Sequence, residues 1–210
     1  GTPAAAGVAV LHIANHVTFK AALFMTAGIV DHEAHTRDIR RLGGLATLMP
    51  ITAAIAIVTA LSMAGLPPLN GFYSKELMLE EAAHTTLFGM PWLLGGLAAF
   101  GALLSVAYSF RYIAHVFLGP ERDDYPHTPH DPPFGMWAAP ALLAIGVIVI
   151  GLFPNLAVGP IKVAATEAVT AGAFESHEIK LWHGLTPALF MSVFAIAGGA
   201  LLLSRHGPLA

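Results

Sequence analysis

An apolar stretch of the chain, GVAVLHIANHVTFKAALFMTAGIV (residues 7–30), carries three ionisable residues at regular intervals. Lys20 lies one helical turn beyond His16 and two beyond His12, so the i, i+4, i+8 spacing places all three on one face of a helix. The stretch is long enough to cross a bilayer, which takes about 20 apolar residues. Each ionisable group held in hydrocarbon costs at least ~2.5 kcal/mol. A stripe of three therefore points to a polar route through a membrane. The bland alternative is a lysine reaching for the interface and histidines that only bond neighbouring helices. Lys20 lies near the middle of the segment, which weakens it.

The rest of the sequence belongs to the same class. Of the 210 residues, 56% are hydrophobic and 11% charged, against about 25% charged in a soluble domain. The apolar runs are continuous rather than alternating, so internally bonded helices and not barrel strands are expected. The fold expected is all-α: a polytopic transmembrane helix bundle of five to six spans. Its helices are expected at about Ala4–Val30, Leu45–Gly65, Pro91–Leu118, Gly135–Phe153 and Gly184–Ser204. A shorter, polar segment, Asn70–Gly89, follows the Leu66-Pro67-Pro68 stop, where proline removes a donor and pushes its predecessor out of the helical region. Asn155–His183 is mixed, part of it suited to an interfacial helix. Arg37, Arg40 and Arg41 make the first loop the most basic and weakly favour a cytoplasmic placement. The chain opens at Gly1, directly before a spanning segment with no signal-peptide pattern, and reads as a piece of a longer polypeptide.

Several function classes drop out. The formal net charge is −3 with no basic tract, so nucleic acid is not an expected partner. There are no cysteines, which excludes disulfides and iron–sulfur ligation. The loop histidines His32, His35, His127 and His130 match no zinc spacing, so no metal site is expected. No nucleophile elbow, P-loop or carboxylate pair marks an enzyme.

Two further sites carry charge near apolar sequence. Lys75, with Glu76 beside it, is open between two placements. One is a helix end near a surface, loosely paired with Glu76. The other is a broken helix that returns to membrane depth, a feature of transporter ion sites. Arg111 shares a helical face with Tyr108 and His115. Its place near the helix end suits an anchor, and a supporting role in the polar route is the second possibility.

Three stretches resemble a known family: NHVTFKAALFMTAGIVDHEAHTRDIRRLGGL (from Asn15), TALSMAGLPPLNGFYSKELMLEEA (from Thr59) and SVAYSFRYIAHVFLGP (from Ser105). They are similar to the antiporter-like subunits, a group that joins the large subunits of Mrp-type cation/proton antiporters with the proton-pumping membrane subunits of complex I. The match covers about Leu11–Pro120. The Asp31–Leu45 loop and the later EIKLWHGLTPALFMS, Glu178–Ser192, resemble the Mrp A-type large subunits most. The resemblance implies that residues 1–120 are the C-terminal part of the proton-translocating core and residues 121–210 the helices that follow it.

It also implies roles. Lys20 would be a central membrane lysine on a proton path and Lys75 the terminal lysine, on a discontinuous helix. His16 would link charged sites; His12 joins it on the evidence of the stripe alone. Glu76, Arg111 and His115 are candidate supporting residues. The implied activity is exchange of Na⁺ or another monovalent cation for H⁺ across the cell membrane of a prokaryote, within a hetero-oligomeric complex. The chain would then be part of a secondary transporter, not an enzyme, with no cofactor. The alternative is a proton-pumping membrane subunit of NADH:quinone oxidoreductase, without catalytic residues of its own. A third reading is a membrane scaffold whose charges only anchor helices.

Overall fold

The computed structural model describes residues 2–123, 125–171, 178–182 and 184–205. Among them the structure is helical, without a named strand. Helix α1, Pro3–Ala34, begins where Thr2 Oγ1 accepts from the Ala5 amide at 3.1 Å and Pro3 occupies the first turn. The sequence places its end at Val30. It runs one further turn because Ile29, Val30 and Ala34 are buried against Leu42, Leu45, Met49, Val116 and Phe117. It stops at His35, which adopts the left-handed conformation (φ 53°).

The expected second span is divided. Helix α2, Leu45–Leu48, and helix α3, Pro50–Ala64, meet at Met49, whose φ −132° and ψ 63° leave the helical region. Pro50 is the cause, since its ring disfavours a helical predecessor. Among the described residues four helices are long and apolar enough to cross a membrane singly: Pro3–Ala34, Leu93–Leu118, Phe134–Leu152 and Pro187–Arg205. The 15 residues of α3 span only about 22 Å.

Helix α3 ends in a Schellman cap. The Gly65 amide donates to Ser62 O (2.9 Å) and the Leu66 amide to Leu61 O (3.1 Å), with Gly65 at φ 88°. After Leu66–Leu69 the chain restarts as helix α4, Asn70–His84. The pair α3 and α4 is thus the discontinuous element expected. Its break lies at Gly65–Leu69, and Lys75 and Glu76 stand inside α4 rather than at the break.

Helix α5, Leu93–Tyr112, passes into a π-helical turn, Ile113–Leu118. Helix α6, Phe134–Leu152, contains Pro140. Short helices α7, Pro154–Ala157, and α8, Gly159–Thr170, precede helix α9, Pro187–Arg205. The expected last helix starts at Gly184; α9 starts three residues later, at its proline. His183 and residues 172–177, within the mixed segment, lie outside the described residues.

Helix α1 is the hub, packed by α3, α4, α6 and α8, while α5 lies along α9. Gly199 makes the latter approach close: a Cβ there would sit 2.6 Å from Val106 Cγ1 and 2.9 Å from the Ala107 amide. Many large apolar side chains face outward, among them Ile13, Val17, Phe24, Leu142 and Phe190. In the first loop Arg37 pairs with Asp31 and Arg40 with Asp38. Arg40 holds the Asp38 carboxyl down to about 2.

Candidate functional site

The break between α3 and α4 is fastened to α1 by a buried polar cluster. Asn15 Nδ2 donates to Asn70 O at 2.8 Å, and Asn70 Nδ2 donates to Thr18 Oγ1 at 2.8 Å. Ser62 Oγ donates to Asn70 Oδ1 at 2.7 Å and accepts from the Gly71 amide at 3.0 Å. Asn15, Asn70 and Ser62 are at most 1% exposed. A chain break so far from water leaves orphan backbone and side-chain groups. Here the Asn70 carbonyl, the Gly71 amide and the Ser62 and Asn70 side chains are given partners, which is the condition for irregular backbone at depth. From the other side, Tyr73 Oη donates to Gly151 O at 2.7 Å.

That clamp fixes the first turn of α4 and thereby Lys75. Lys75 Nζ donates to Ala64 O at 3.1 Å and to Ser105 Oγ at 3.1 Å. Ala64 is the last residue of α3, where carbonyls lack intrahelical donors and the helix dipole is negative. Gly65 lets the side chain through: a Cβ there would lie 2.8 Å from Lys75 Cδ. The opposite end of α3 is matched in sign. The Asp131 carboxylate accepts from the Ile51 amide (2.8 Å), the Thr52 amide (2.9 Å) and Thr52 Oγ1 (2.7 Å). So α3 carries an anion at its N-terminus and a lysine at its C-terminus, each in the favourable position.

The α1 stripe meets α4 one residue before Lys75. His12 Nδ1 lies 3.2 Å from Ser74 Oγ, and the His12 and His16 rings are 5.5 Å apart. One turn further, Lys20 Nζ sits 5.7 Å from the Phe24 ring centre and 5.5 Å from that of Tyr108. Both contacts are within cation–π range. Among the described residues Lys20 has no carboxylate partner. Tyr108 is held in turn by its hydroxyl, 3.1 Å from Met63 Sδ.

The structure therefore brings His12 beside the turn of α4 that carries Lys75, with His16 and Lys20 following along α1. It does not join the supporting candidates to them. Glu76 is buried but turned toward α9, where Ser192 Oγ donates to Oε2 at 2.7 Å; it forms no ion pair with Lys75. Arg111 and His115 make no hydrogen bond or ion pair among the described residues. The π turn that holds His115 also widens the helical repeat that would align it with Arg111.

The residues not anticipated are short polar ones: Ser62, Asn70, Ser74, Ser105 and Ser192. Serine and threonine are common in apolar helices, so nothing in the sequence distinguishes those that face a lysine. Asn15 carried a readable signal, as the remaining polar residue of the first apolar stretch. Lys162 is a different omission. It appears in a mixed segment, yet α8 buries it to 6% exposure. No group of three or more metal-type ligands forms among the described residues, the loop histidines included.

Comparison with known proteins follows the same lines. A family model described as NADH:quinone oxidoreductase/Mrp antiporter, TM, matches residues 2–107. A probable K(+)/H(+) antiporter A/B subunit of Rhizobium meliloti (strain 1021) is 44% identical over 200 residues, covering 95% of this chain and 20% of the relative. The Na(+)/H(+) antiporter A1 subunit of Staphylococcus haemolyticus (strain JCSC1435) is 42% identical over 202 residues, covering 93% and 25%. Among solved structures, the Mrp complex from Dietzia sp. DQ12-45-1b superposes with a TM-score of 0.84 at 37% identity, covering 100% of this chain and 22% of that one. A membrane-bound sulfane sulfur reductase, an archaeal respiratory membrane complex, shares the fold at a TM-score of 0.65 and 23% identity, covering 100% and 41%. The chain thus spans about a fifth to a quarter of the length of the curated relatives it matches.

Proposed function

The chain belongs to the NADH:quinone oxidoreductase/Mrp antiporter transmembrane family, and from that premise we propose that it is the proton-handling part of a large antiporter subunit. In this reading the full subunit works inside a hetero-oligomeric complex of the cell membrane and exchanges Na⁺ or K⁺ for H⁺. Residues 1–120 belong to its transport core, and residues 121–210 to the helices that follow. One observation carries the reading: Lys75 occupies the negative end of the interrupted helix α3, while the Lys20–His16–His12 stripe reaches the same helix α4 through Ser74.

The geometry supports a protonation relay. A protonated Lys75 is favoured by the Ala64 carbonyl and by the dipole of α3. The imidazole rings of His12 and His16 each offer a nitrogen that can take up a proton and one that can pass it on. A unit charge about 5 Å away changes the energy of a second one by about 3 kcal/mol at an effective dielectric constant of 20. Arrival of a cation or proton at one station is thus enough to bias the next. Lys20 lies against two aromatic rings with no carboxylate partner among the described residues, so nothing fixed masks it from charge on its neighbours. The detailed likeness to cation/proton antiporter subunits favours this reading over a proton-pumping subunit of a quinone reductase.

The test is antiport in everted vesicles bearing the complete complex, comparing wild type with Lys20→Ala and Lys75→Ala at matched assembly. Collapse of the proton gradient on adding Na⁺ or K⁺ is the readout. Both variants should lose at least tenfold in rate. Full activity in both would leave these lysines as anchors and overturn the reading.

A further inference from the structure

We propose that Ser105 is a positioning residue that holds Lys75 in both of its protonation states. The inference rests on the transport reading above and adds to it a partner on helix α5.

Lys75 Nζ has two described partners of different chemistry. The Ala64 carbonyl can only accept, and so serves an N–H in either state. The Ser105 hydroxyl can accept and donate. As the atoms stand, Ser105 Oγ accepts from Lys75 at 3.1 Å and sends its own hydrogen to Met63 O at 3.3 Å. That arrangement suits an ammonium. Once the ammonium has passed its proton on, the amine presents a lone pair. Rotation of the Ser105 O–H from Met63 O to that lone pair then satisfies it with no movement of heavy atoms. The released Met63 carbonyl lies in the last turn of α3, beside the Schellman cap. The hydroxyl stands within reach of both groups, 3.1 Å from Lys75 Nζ and 3.3 Å from Met63 O. A carbonyl alone would leave the neutral amine's lone pair without a donor in a partly buried site between α3 and α5, at part of the cost of an unmade buried hydrogen bond.

Other charges around Lys75 do not substitute for this contact. Helix α4 packs against α1, α3, α5, α6 and α9. The titratable or charged groups on these elements are His12, His16, Lys20, Asp31, His32 and Glu33 on α1, Tyr108, Arg111 and Tyr112 on α5, and Arg205 on α9. Helix α4 itself adds Tyr73, Glu76, Glu80, Glu81 and His84, and α3 and α6 carry none. Among the described residues none of these hydrogen-bonds Lys75 Nζ.

The experiment is the pH profile of Na⁺-driven antiport in everted vesicles carrying the full complex, for wild type, Ser105→Ala, Ser105→Thr and Lys75→Ala. In Ser105→Ala the ammonium loses an acceptor and the amine its donor. The two losses oppose each other, but a hydrogen bond from the charged ammonium is worth more than one to the neutral amine, so the alkaline limb of the profile should move to lower pH by about half a unit to one unit, with the half-saturating Na⁺ concentration unchanged. Ser105→Thr, which keeps the hydroxyl, should restore the wild-type profile. If Ser105→Ala fails to assemble, Ser105→Cys takes its place, its weak thiol giving the same shift in smaller degree. A wild-type profile in the Ala or Cys variant, with Lys75→Ala inactive, overturns the role of Ser105 and leaves the transport reading standing. Full antiport in Lys75→Ala would instead overturn the transport reading itself.

Discussion

Asn70→Ala should loosen the whole arrangement from a point that bears no charge. In the native packing Asn70 Oδ1 accepts from Ser62 Oγ at 2.7 Å and Asn70 Nδ2 donates to Thr18 Oγ1 at 2.8 Å. Truncation removes both of these short bonds, together with the longer contacts of Nδ2 to Asn15 O (3.5 Å) and Asn15 Oδ1 (3.4 Å). Thr18 Oγ1 still donates to Asn15 O at 2.6 Å, so it is left short of a donor but not orphaned. The Ser62 hydroxyl, 0% exposed, has its hydrogen stranded. Two net hydrogen bonds at about 1 kcal/mol each, plus part of the penalty for a buried unpaired donor, come to about 2–4 kcal/mol. The cost falls on the seam between α1 and α4. The thermal midpoint of the detergent-solubilised complex should therefore drop, and antiport should fall as His12 and Ser74 separate. A double-mutant cycle sharpens the test. Ser62→Ala removes the stranded hydroxyl, so Asn70→Ala with Ser62→Ala should cost less than the two single changes summed, by about 1–2 kcal/mol. An unchanged midpoint in Asn70→Ala, or strictly additive shifts, would refute the cluster as the fastening of the break.

Two further substitutions probe the ends of α3. Gly65→Ala forces an alanine to φ 88° and drives Cβ to 2.8 Å from Lys75 Cδ; the left-handed backbone alone costs about 1–2 kcal/mol. Thermal midpoints should show a larger loss for Gly65→Ala in the native background than in Lys75→Ala, where the obstructing side chain is gone; equal losses would contradict the packing. Asp131→Ala strips three hydrogen bonds from the first turn of α3 and should lower the midpoint by the equivalent of about 1–2 kcal/mol. Asp131→Asn, which keeps one acceptor oxygen, should fall between, and an Ala variant as stable as wild type would show the cap to be idle.

The helix α3 explains why a broken element is useful here. A continuous helix from Pro50 to His84 would satisfy its own carbonyls and offer nothing to a lysine. Interruption exposes the Ala64 carbonyl and places the end of the dipole inside the bundle. The polar cluster around Asn70 keeps that interruption from destabilising the chain. Stability and chemistry are thus set by residues in and beside one break: Asn70 and Ser62 fasten its two flanks, and Gly65 gives Lys75 access to it.

Much of this was written in the order of residues. Continuous apolar runs broken by Pro-Pro and Gly determine a helical membrane bundle with a discontinuous segment, because backbone groups in lipid must bond within the chain and proline cannot extend a helix. The 4-residue spacing of His12, His16 and Lys20 determines their shared face for the same geometric reason. The motifs around Lys20 and Lys75 were enough to indicate the family. Tertiary structure alone decided the partners. Burial of Ala34 prolongs a helix that charge would end. Glu76 turns toward Ser192 while its neighbour Lys75 turns toward α3, and Arg111 and His115 make no hydrogen bond or ion pair among the described residues. Those outcomes depend on which helix lies alongside, and hydrogen bonds between residues separated by tens of positions leave no periodicity in the sequence. The chain's order set which ionisable groups were available; the packing of α1, α3, α4 and α5 set which of them meet.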